Sequence, residues 1–206
     1  KGPSDFVSDV DRAAEHALRA EILAAIPDAQ VLGEEFSPTA VPAPAGSGAA
    51  GVLFVADPLD GTTNFLHGYP AYAVSIAVLV NDVLTAGVVI NAVTGDTYTA
   101  TAGGGAWRNG ERITVSRIVA ASRALIGTGF PFSHLEWLDS YQAQFAAVAR
   151  QSAGIRRAGS AALDLADVAC GRFEGFWELM LAPWDIAAGI LPVSYTHLTL
   201  PTILRV

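Results

Sequence analysis

The chain has 206 residues, 51% of them hydrophobic, which is enough apolar material for the core of one compact domain or two small ones. Its 12 basic and 20 acidic residues give a formal net charge of -8, which argues against nucleic-acid binding as the main activity. A single cysteine, Cys170, excludes a disulfide framework and a thiolate metal cage, and fits a cytoplasmic location.

The first predicted element is a helix over residues 8–26, which ends before Pro27. Its apolar residues recur at helical spacing on one face: Ala14, Leu18, Ile22 and Ala25. The segment 36–51 is rich in Pro, Ala, Gly and Ser, which is typical of a surface loop. The apolar run at residues 52–56 predicts a short buried strand that places Asp57 at its C-terminal end.

Antiparallel strands are predicted next. Residues 73–80 and 83–91 predict a hairpin that turns at Asn81-Asp82, and GDTYTA, GGGAWRNG and ERITVS continue as strands with tight turns. The later elements are a strand at 125–128, helices at 135–149 and 160–169, a strand at 174–178 and the start of a last helix at 185–191. This order predicts an α+β fold of mixed α/β layers, since βαβ units do not alternate regularly.

The stretch DPLDGTTNF follows the predicted strand directly and concentrates polar groups at its end. Asp57 and Asp60 flank a turn, with the Leu59 carbonyl between them, and Mg²⁺ prefers such oxygen ligands. Gly61 and Thr62 then offer backbone N–H groups at the start of a helix, where a phosphate is readily held. The stretch therefore predicts metal ligands and a phosphate-binding site within nine residues.

Other acids also lie beside strand ends or turns, namely Glu34, Glu35 and Asp185. Two bound cations about 3.5–4 Å apart can stabilise both the attacking and the leaving oxygen of a phosphoryl transfer. Taken alone, however, Glu34 and Glu35 are also typical of solvated loop acids. Asp11 lies three residues after Ser8, which is equally a capping-box pattern for the first helix.

Three motifs resemble the inositol monophosphatase family of Mg²⁺-dependent phosphatases, and they occur in the family's order: GEE at residues 33–35, DPLDGTTNF at 57–65 and PWDIAAG at 183–189. GTGFPF and the stretch 156–178 further resemble bacterial members. The resemblance implies a layered αβαβα sandwich, incomplete at the C-terminus. It also implies hydrolysis of a small-molecule phosphate monoester, and homodimers.

The resemblance also implies a role for each matching position. The metal would be held by the carboxylates of Glu34, Asp57, Asp60 and Asp185 and by the Leu59 carbonyl. The attacking water would be oriented and deprotonated by Thr62, with help from Asp11 and Glu34. The phosphate would contact Gly61, Thr62 and Thr63, and the rest of the substrate would face Ser160, Ala161, Glu178 and Asp185.

The leading functional hypothesis is a Mg²⁺-dependent phosphomonoesterase acting on inositol monophosphate or a similar small polyol phosphate. Histidinol phosphate, fructose 1,6-bisphosphate and nucleotide 3'-phosphates are alternative substrates. Glu178 would accept hydrogen bonds from a polyol's hydroxyls, but equally from the ammonium group of histidinol. No nucleic-acid partner is expected, and no membrane partner, because the longest apolar stretch, residues 71–80, is too short to span a bilayer.

The predicted domain covers residues 1–191, divided into a metal-binding α+β part at 1–120 and the start of a second α/β part at 121–191. Residues 192–206 are interpreted as a tail, because the resemblance to the family ends at residue 191. Pro192 would also fall inside the helix that the family completes at this point, where a proline costs roughly 3 kcal/mol. The chain begins at Lys1, which indicates a fragment. An inactive cation-binding remnant is therefore a second functional hypothesis.

The remaining polar residues are assigned no chemistry. Asp164 and Asp167 are predicted on an exposed helix face. No zinc-binding spacing is found among the histidines, which are interpreted as structural or surface residues: His16, His67, His134 and His197. Cys170 is predicted to be a small core residue.

Overall fold

The structure is a computed structural model that describes residues 9–36 and 51–196. Its helices are α1 (Asp9–Ala25), α2 (Thr62–Leu66), α3 (Leu138–Ala149), α4 (Ala161–Ala169) and α5 (Pro183–Thr196). Its strands are β1 (Gln30–Gly33), β2 (Val52–Asp60), β3 (Ala73–Val80), β4 (Val83–Asn91), β5 (Thr97–Thr101), β6 (Gly105–Arg108), β7 (Glu111–Arg112), β8 (Leu125–Thr128), β9 (Gly154–Arg156) and β10 (Gly175–Trp177). The predicted surface loop lies mostly outside the described residues, as does His197.

A seven-stranded sheet in the described part of the chain runs in the order β1 to β7. The pair β1–β2 is parallel, and the strands from β2 onward are antiparallel to their neighbours. The β3–β4 hairpin turns where it was predicted, with Asn81 at φ 52° and Asp82 at φ 63°. Two successive residues with positive φ are the requirement of the tight turn that matches strand twist, and Asn and Asp tolerate it.

A second, parallel sheet has the order β10-β8-β9. Sequence patterns did not predict β9, because three residues are too few to show a period. Its pairing with β8, from Leu125↔Gly154 to Gly127↔Arg156, defines it as a strand. The helix predicted over 135–149 begins as a 3₁₀ turn, Leu135–Trp137, and becomes α-helical from Leu138.

Helices α4 and α5 lie between the two sheets and pack against each other and against both β3 and β4. Close approach depends on two glycines. A Cβ at Gly87 would lie 2.6 Å from the Ala188 carbonyl oxygen, and one at Gly189 would lie 2.6 Å from Leu165 Cβ. Helix α1 packs against β2 on the outer side of the first sheet. On the outer side of the second sheet, the buried Tyr141 of α3 stacks on Trp177 of β10. The layers are therefore αβαβα, as predicted.

Helix α5 begins at Pro183, two residues before the predicted start, and continues through Pro192 in its interior. A proline in a helix leaves the carbonyl four residues earlier without its N–H donor. Pro192 is itself fully buried, so its apolar ring is packed in the protein interior. Tertiary packing therefore overrides the local preference against a proline at this position.

Helix α1 matches the predicted bounds to within one residue, but its buried side differs from the predicted apolar stripe. The residues it buries are Asp11, Glu15 and Ile22, whereas Ala25 is exposed. Two of the three are acids, so this helix contributes charged groups to the interior. None of the described helices has both the length and the apolar character needed to cross a membrane.

Candidate active site

A cavity of about 240 Å³ opens where the end of β2 meets the first turns of α2, α4 and α5. Five of its lining residues carry carboxylates: Glu34, Asp57, Asp60, Glu178 and Asp185. The predicted site residues Leu59, Gly61, Thr62, Thr63 and Ala161 line it as well. The structure thus brings together acids that are distant in the sequence around one space.

Strand β2 continues four residues beyond its predicted end, so that both motif aspartates belong to it. The pairing with β3 is irregular between Asp57 and Asp60, as in a β-bulge. A bulge redirects side chains that would otherwise alternate across the sheet. Both carboxylates are buried as a result, at 3% and 8% exposure, and both reach the cavity.

Each of the three cavity aspartates uses one carboxylate oxygen to accept hydrogen bonds from the protein. Asp57 Oδ1 accepts from the Leu59 backbone N–H at 2.9 Å, and Asp185 Oδ2 accepts from the Ala182 N–H at 2.6 Å. Asp60 Oδ2 accepts from the Ser160 hydroxyl at 2.6 Å and from the Ala162 N–H at 2.7 Å. These bonds fix the carboxylates in orientation.

Burial raises the pKa of all three aspartates, to about 6 for Asp60 and to about 8 for Asp185. For Asp57, burial is again the main cause of the raised pKa, followed by the negative charges of Asp60 and Glu34. Hydrogen bonds from Ser160 and Ala162 oppose the rise at Asp60. Carboxylates that raise one another's pKa in this way are stabilised as anions when a cation is bound.

The donor set fits a hard divalent cation, since it consists of carboxylate, carbonyl and hydroxyl oxygens. Within residues 9–36 and 51–196, however, no three His, Cys, Asp or Glu side chains already stand together as a complete metal-binding group. A cation here would therefore need further oxygens. Mg²⁺ usually meets that need with water and substrate phosphate, and the Leu59 carbonyl is a further donor.

The hydroxyl of Thr62 lies 2.8 Å from Asp11 Oδ1 and 3.2 Å from the Leu59 carbonyl oxygen. Asp11 is 2% exposed and reaches this position from the first turn of α1. Ser8, its partner in the alternative capping box, lies outside the described residues. A hydroxyl with one proton and two acceptors in reach is arranged to relay a proton between neighbouring groups.

A buried glutamate on α1 supports the loop that carries Glu34. The carboxylate of Glu15 accepts hydrogen bonds from the backbone N–H of Glu35 at 2.8 Å and of Phe36 at 3.3 Å. It fits only because residue 33 is glycine, since a Cβ there would overlap the Glu15 carboxylate. The GEE motif therefore needs its glycine for packing against α1.

Gly61 joins β2 to α2 with φ 95°, a conformation that residues with a side chain rarely adopt. A Cβ at this position would also lie 2.9 Å from the Ala71 carbonyl oxygen. Asn64 fixes the same corner, because its amide donates to the carbonyls of Ala71 and Ala158. The turn that begins α2 is thus anchored to both halves of the chain.

The structure gives Ser160 a different position from the one expected of a substrate-facing residue. It is the N-cap of α4, its hydroxyl oxygen accepts from the Leu163 N–H, and its own proton is donated to Asp60. With 1% exposure, its hydroxyl serves the protein interior. Ala161 and Glu178 do line the cavity, and burial raises the pKa of Glu178 to about 7.

The prediction that Asp164 lies on an exposed helix face is wrong, because this residue is 1% exposed. Helix α4 lies between two sheets and next to α5, so it has almost no solvent-facing side. Both oxygens of Asp164 are buried without a hydrogen-bond partner among the described residues. Burial, then the charges of Glu178 and Asp60, raise its pKa to about 8. Asp167 is half-buried and pairs with Arg172 at 2.7 Å.

Arg157 also lines the cavity, and it is a residue that no sequence pattern predicted. The sequence feature that could have identified it is the Arg156-Arg157 pair just before the predicted helix at 160–169. That pair gave no indication of which arginine faces the site. In the structure Arg156 ends β9 and its guanidinium donates to the backbone carbonyl of Ile155.

Comparison with known proteins is consistent with this geometry. A sequence profile of the inositol monophosphatase family matches residues 1–193. The chain is 47% identical over 197 residues to the Nus factor SuhB of Pseudomonas aeruginosa, which covers 94% of this chain and 71% of that protein. It is 46% identical over 192 residues to the inositol-1-monophosphatase of Rhizobium meliloti, which covers 93% of this chain and 70% of that protein.

The fold is also similar to a solved structure, the extragenic suppressor protein suhB from Bartonella henselae. The TM-score is 0.87 and the identity 43%, over 95% of this chain and 73% of that chain. These matches confirm the family and the layered fold that the three motifs predicted.

Proposed function

The chain belongs to the inositol monophosphatase family, and from that membership we propose that it is a Mg²⁺-dependent phosphomonoesterase that hydrolyses inositol monophosphate or a similar small polyol phosphate. The observation that carries the proposal is the cavity that the carboxylates of Asp57, Asp60 and Asp185 line together with Thr62. The relatives named inositol-1-monophosphatase support the phosphatase activity, while those named Nus factor SuhB leave the substrate a matter for experiment.

The groups proposed to hold Mg²⁺ are the carboxylates of Glu34, Asp57, Asp60 and Asp185 and the Leu59 carbonyl. When bound, the ion supplies Lewis acidity to the phosphate and lowers the pKa of the water that attacks it. The protein's part is to orient these oxygens. The hydrogen bonds at Asp57, Asp60 and Asp185 do so by using one oxygen of each carboxylate.

We propose that Thr62 and Asp11 activate the attacking water, with Glu34 helping to orient it. The water gives a proton to the Thr62 hydroxyl, which passes its own proton to the Asp11 carboxylate 2.8 Å away. The water oxygen then forms a bond to phosphorus as the ester P–O bond breaks. The departing alcohol takes up a proton from solvent, Asp11 returns its proton to solvent, and inorganic phosphate remains beside Gly61 and Thr63.

The leaving alcohol would face Glu178, whose carboxylate accepts hydrogen bonds from hydroxyl groups. A polyol presents several such hydroxyls, which favours inositol monophosphate or a related ester. Histidinol phosphate, fructose 1,6-bisphosphate and nucleotide 3'-phosphates remain alternatives for the same site. A homodimer, a cytoplasmic location and the lack of a nucleic-acid partner remain predictions.

Phosphate release from a panel of these esters tests the proposal. We expect turnover in millimolar Mg²⁺, its loss on addition of EDTA, and a higher kcat/KM with polyol phosphates than with histidinol phosphate or nucleotide 3'-phosphates. Mg²⁺ binding without hydrolysis of any ester would instead support the cation-binding remnant. A different preferred ester would keep the chemistry and change the substrate.

A further inference from the structure

The described groups that line the cavity include a single basic residue, Arg157. Its guanidinium carbon lies 5.0 Å from the ring centre of Phe132 and 5.9 Å from that of Phe130. A cation over aromatic faces is attracted by the ring quadrupoles. The two rings therefore hold the guanidinium at the cavity wall without using its hydrogen-bond donors.

The neighbouring backbone leaves space for this side chain. Gly159 has φ +86°, and a Cβ there would lie 2.6 Å from Arg157 Nη1. Gly159 itself lines the cavity, and its carbonyl oxygen lies close to Gly61. The guanidinium is thus seated in the same cavity as the proposed phosphate site, beside a glycine that no larger residue can replace without a shift.

The guanidinium N–H groups of Arg157 are available to bind a ligand. In residues 9–36 and 51–196, ion pairs and hydrogen bonds are found for Arg19, Arg108 and Arg172, but not for Arg157. A guanidinium offers five N–H donors in a planar fork that matches the oxygens of a phosphate or carboxylate. Such an exposed fork beside an active site is suited to bind an oxyanion.

The contacts of Arg157 show which half of the cavity it lies in. Phe130, whose ring the guanidinium contacts, follows Gly129, and a Cβ at Gly129 would overlap the Glu178 carboxylate. The charge of Arg157 opposes the rise in pKa of Glu178 and Asp164, which belong to the β10 and α4 side. The aspartates proposed to hold Mg²⁺ come from β2 and α5. Arg157 therefore lies on the side proposed for the leaving group.

We propose that Arg157 forms a subsite for a second oxyanion carried by the leaving group of the substrate. The subsite rests on the proposed function, because it selects among phosphate esters that enter the same cavity. The substrate class that this subsite favours is a polyol that carries a second phosphate besides the one that is hydrolysed. Glu178 then accepts hydrogen bonds from the hydroxyls of such a polyol, while Arg157 donates to its second anion.

A matched pair of esters tests this subsite. Fructose 1,6-bisphosphate and fructose 1-phosphate share the 1-phosphate and differ only in the 6-phosphate. Wild type, Arg157→Gln and Arg157→Lys are compared, and Arg156→Gln is the control because it removes an adjacent arginine that does not line the cavity. The readout is kcat/KM for each ester that is hydrolysed, and Kd by calorimetry for each that is not.

In Arg157→Gln we expect the preference for the bisphosphate over the monophosphate to fall at least about 10-fold, mainly through KM, because a charge-assisted bidentate contact is lost. Arg157→Lys should lose less of the preference for the bisphosphate, and Arg156→Gln should keep the wild-type preference. An unchanged ratio in Arg157→Gln overturns the subsite, as does an equal loss for both esters. Circular dichroism checks folding, and if the glutamine variant is unfolded the lysine variant decides by the same ratio.

The two proposals fail separately. If wild type hydrolyses these esters with a ratio that does not depend on Arg157, the subsite is wrong and the phosphatase stands. If wild type hydrolyses no ester of the panel but its Kd ratio depends on Arg157, the subsite stands and the phosphatase is wrong. If no ester is hydrolysed or bound, both are wrong.

Discussion

The Thr62 hydroxyl donates a hydrogen bond of 2.8 Å to Asp11, a residue 51 positions earlier in the chain. The contact joins the start of α2 to the first turn of α1 across the end of β2. A hydroxyl that only capped α2 would have no need of this buried carboxylate. The arrangement is what a proton relay requires, and it can be separated from a structural role by substitution.

We expect Thr62→Val to lose about 10²–10⁴-fold in kcat, the usual contribution of a positioned proton transfer, while Mg²⁺ affinity is retained. Thr62→Ser should keep much of the activity because it keeps the hydroxyl. Turnover per folded molecule and Mg²⁺ affinity are measured for both variants. Normal turnover by folded Thr62→Val would mean that this hydroxyl does not activate water.

Asp57→Asn should reduce kcat by at least about 10³-fold, comparable to the removal of a main electrostatic stabiliser. Asp57 is 3% exposed, and the negative charges of Asp60, Glu34 and Asp185 help to raise its pKa. The amide keeps the shape and removes the negative charge that a cation needs. Phosphate release over a range of Mg²⁺ concentrations is the measurement, and wild-type turnover at ordinary Mg²⁺ would contradict the assignment.

Millimolar Mg²⁺ should raise the melting temperature of the wild-type chain. The buried carboxylates repel one another in the metal-free protein, and a ligand that binds only the folded state stabilises it by mass action. Thermal unfolding is recorded with Mg²⁺ and with EDTA, and Asp57→Asn serves as the control with a smaller shift. An identical midpoint in both conditions would count against a preformed cation site.

Asp164→Asn should raise the melting temperature more at pH 8 than at pH 5. The folded-state pKa of Asp164 is raised to about 8 by burial, so the folded protein keeps a proton that the unfolded chain has lost above about pH 4. The free energy of unfolding therefore falls as pH rises through this interval. Asparagine has no such titration, so the difference between variant and wild type grows with pH.

Unfolding of Asp164→Asn and wild type is measured in EDTA at both pH values. Asp82→Asn provides the matched control, because it removes an acid from an exposed turn. A variant that differs from wild type by the same amount at pH 5 and pH 8 would show that the buried carboxyl is not protonated as inferred.

The sequence alone determined the features that depend on short-range geometry. The β3–β4 turn follows from Asn81 and Asp82, since these residues tolerate positive φ, and the structure has the turn there. The proximity of Asp57 and Asp60 likewise follows from their nearness in the chain, although a bulge within β2 lies between them where a turn was predicted. The resemblance of three motifs to a known family also predicted the family and the layered fold, and the comparisons confirm both.

Tertiary structure alone decided which polar groups are buried and what they face. Asp164 is buried because α4 has neighbours on nearly every side, which its own helical period does not reveal. Ser160 serves Asp60 because α4 begins directly behind the end of β2. Arg157 lines the cavity while Arg156 does not, since β9, too short to be predicted, ends between them. These outcomes depend on packing between segments far apart in the chain, where local preference carries no information.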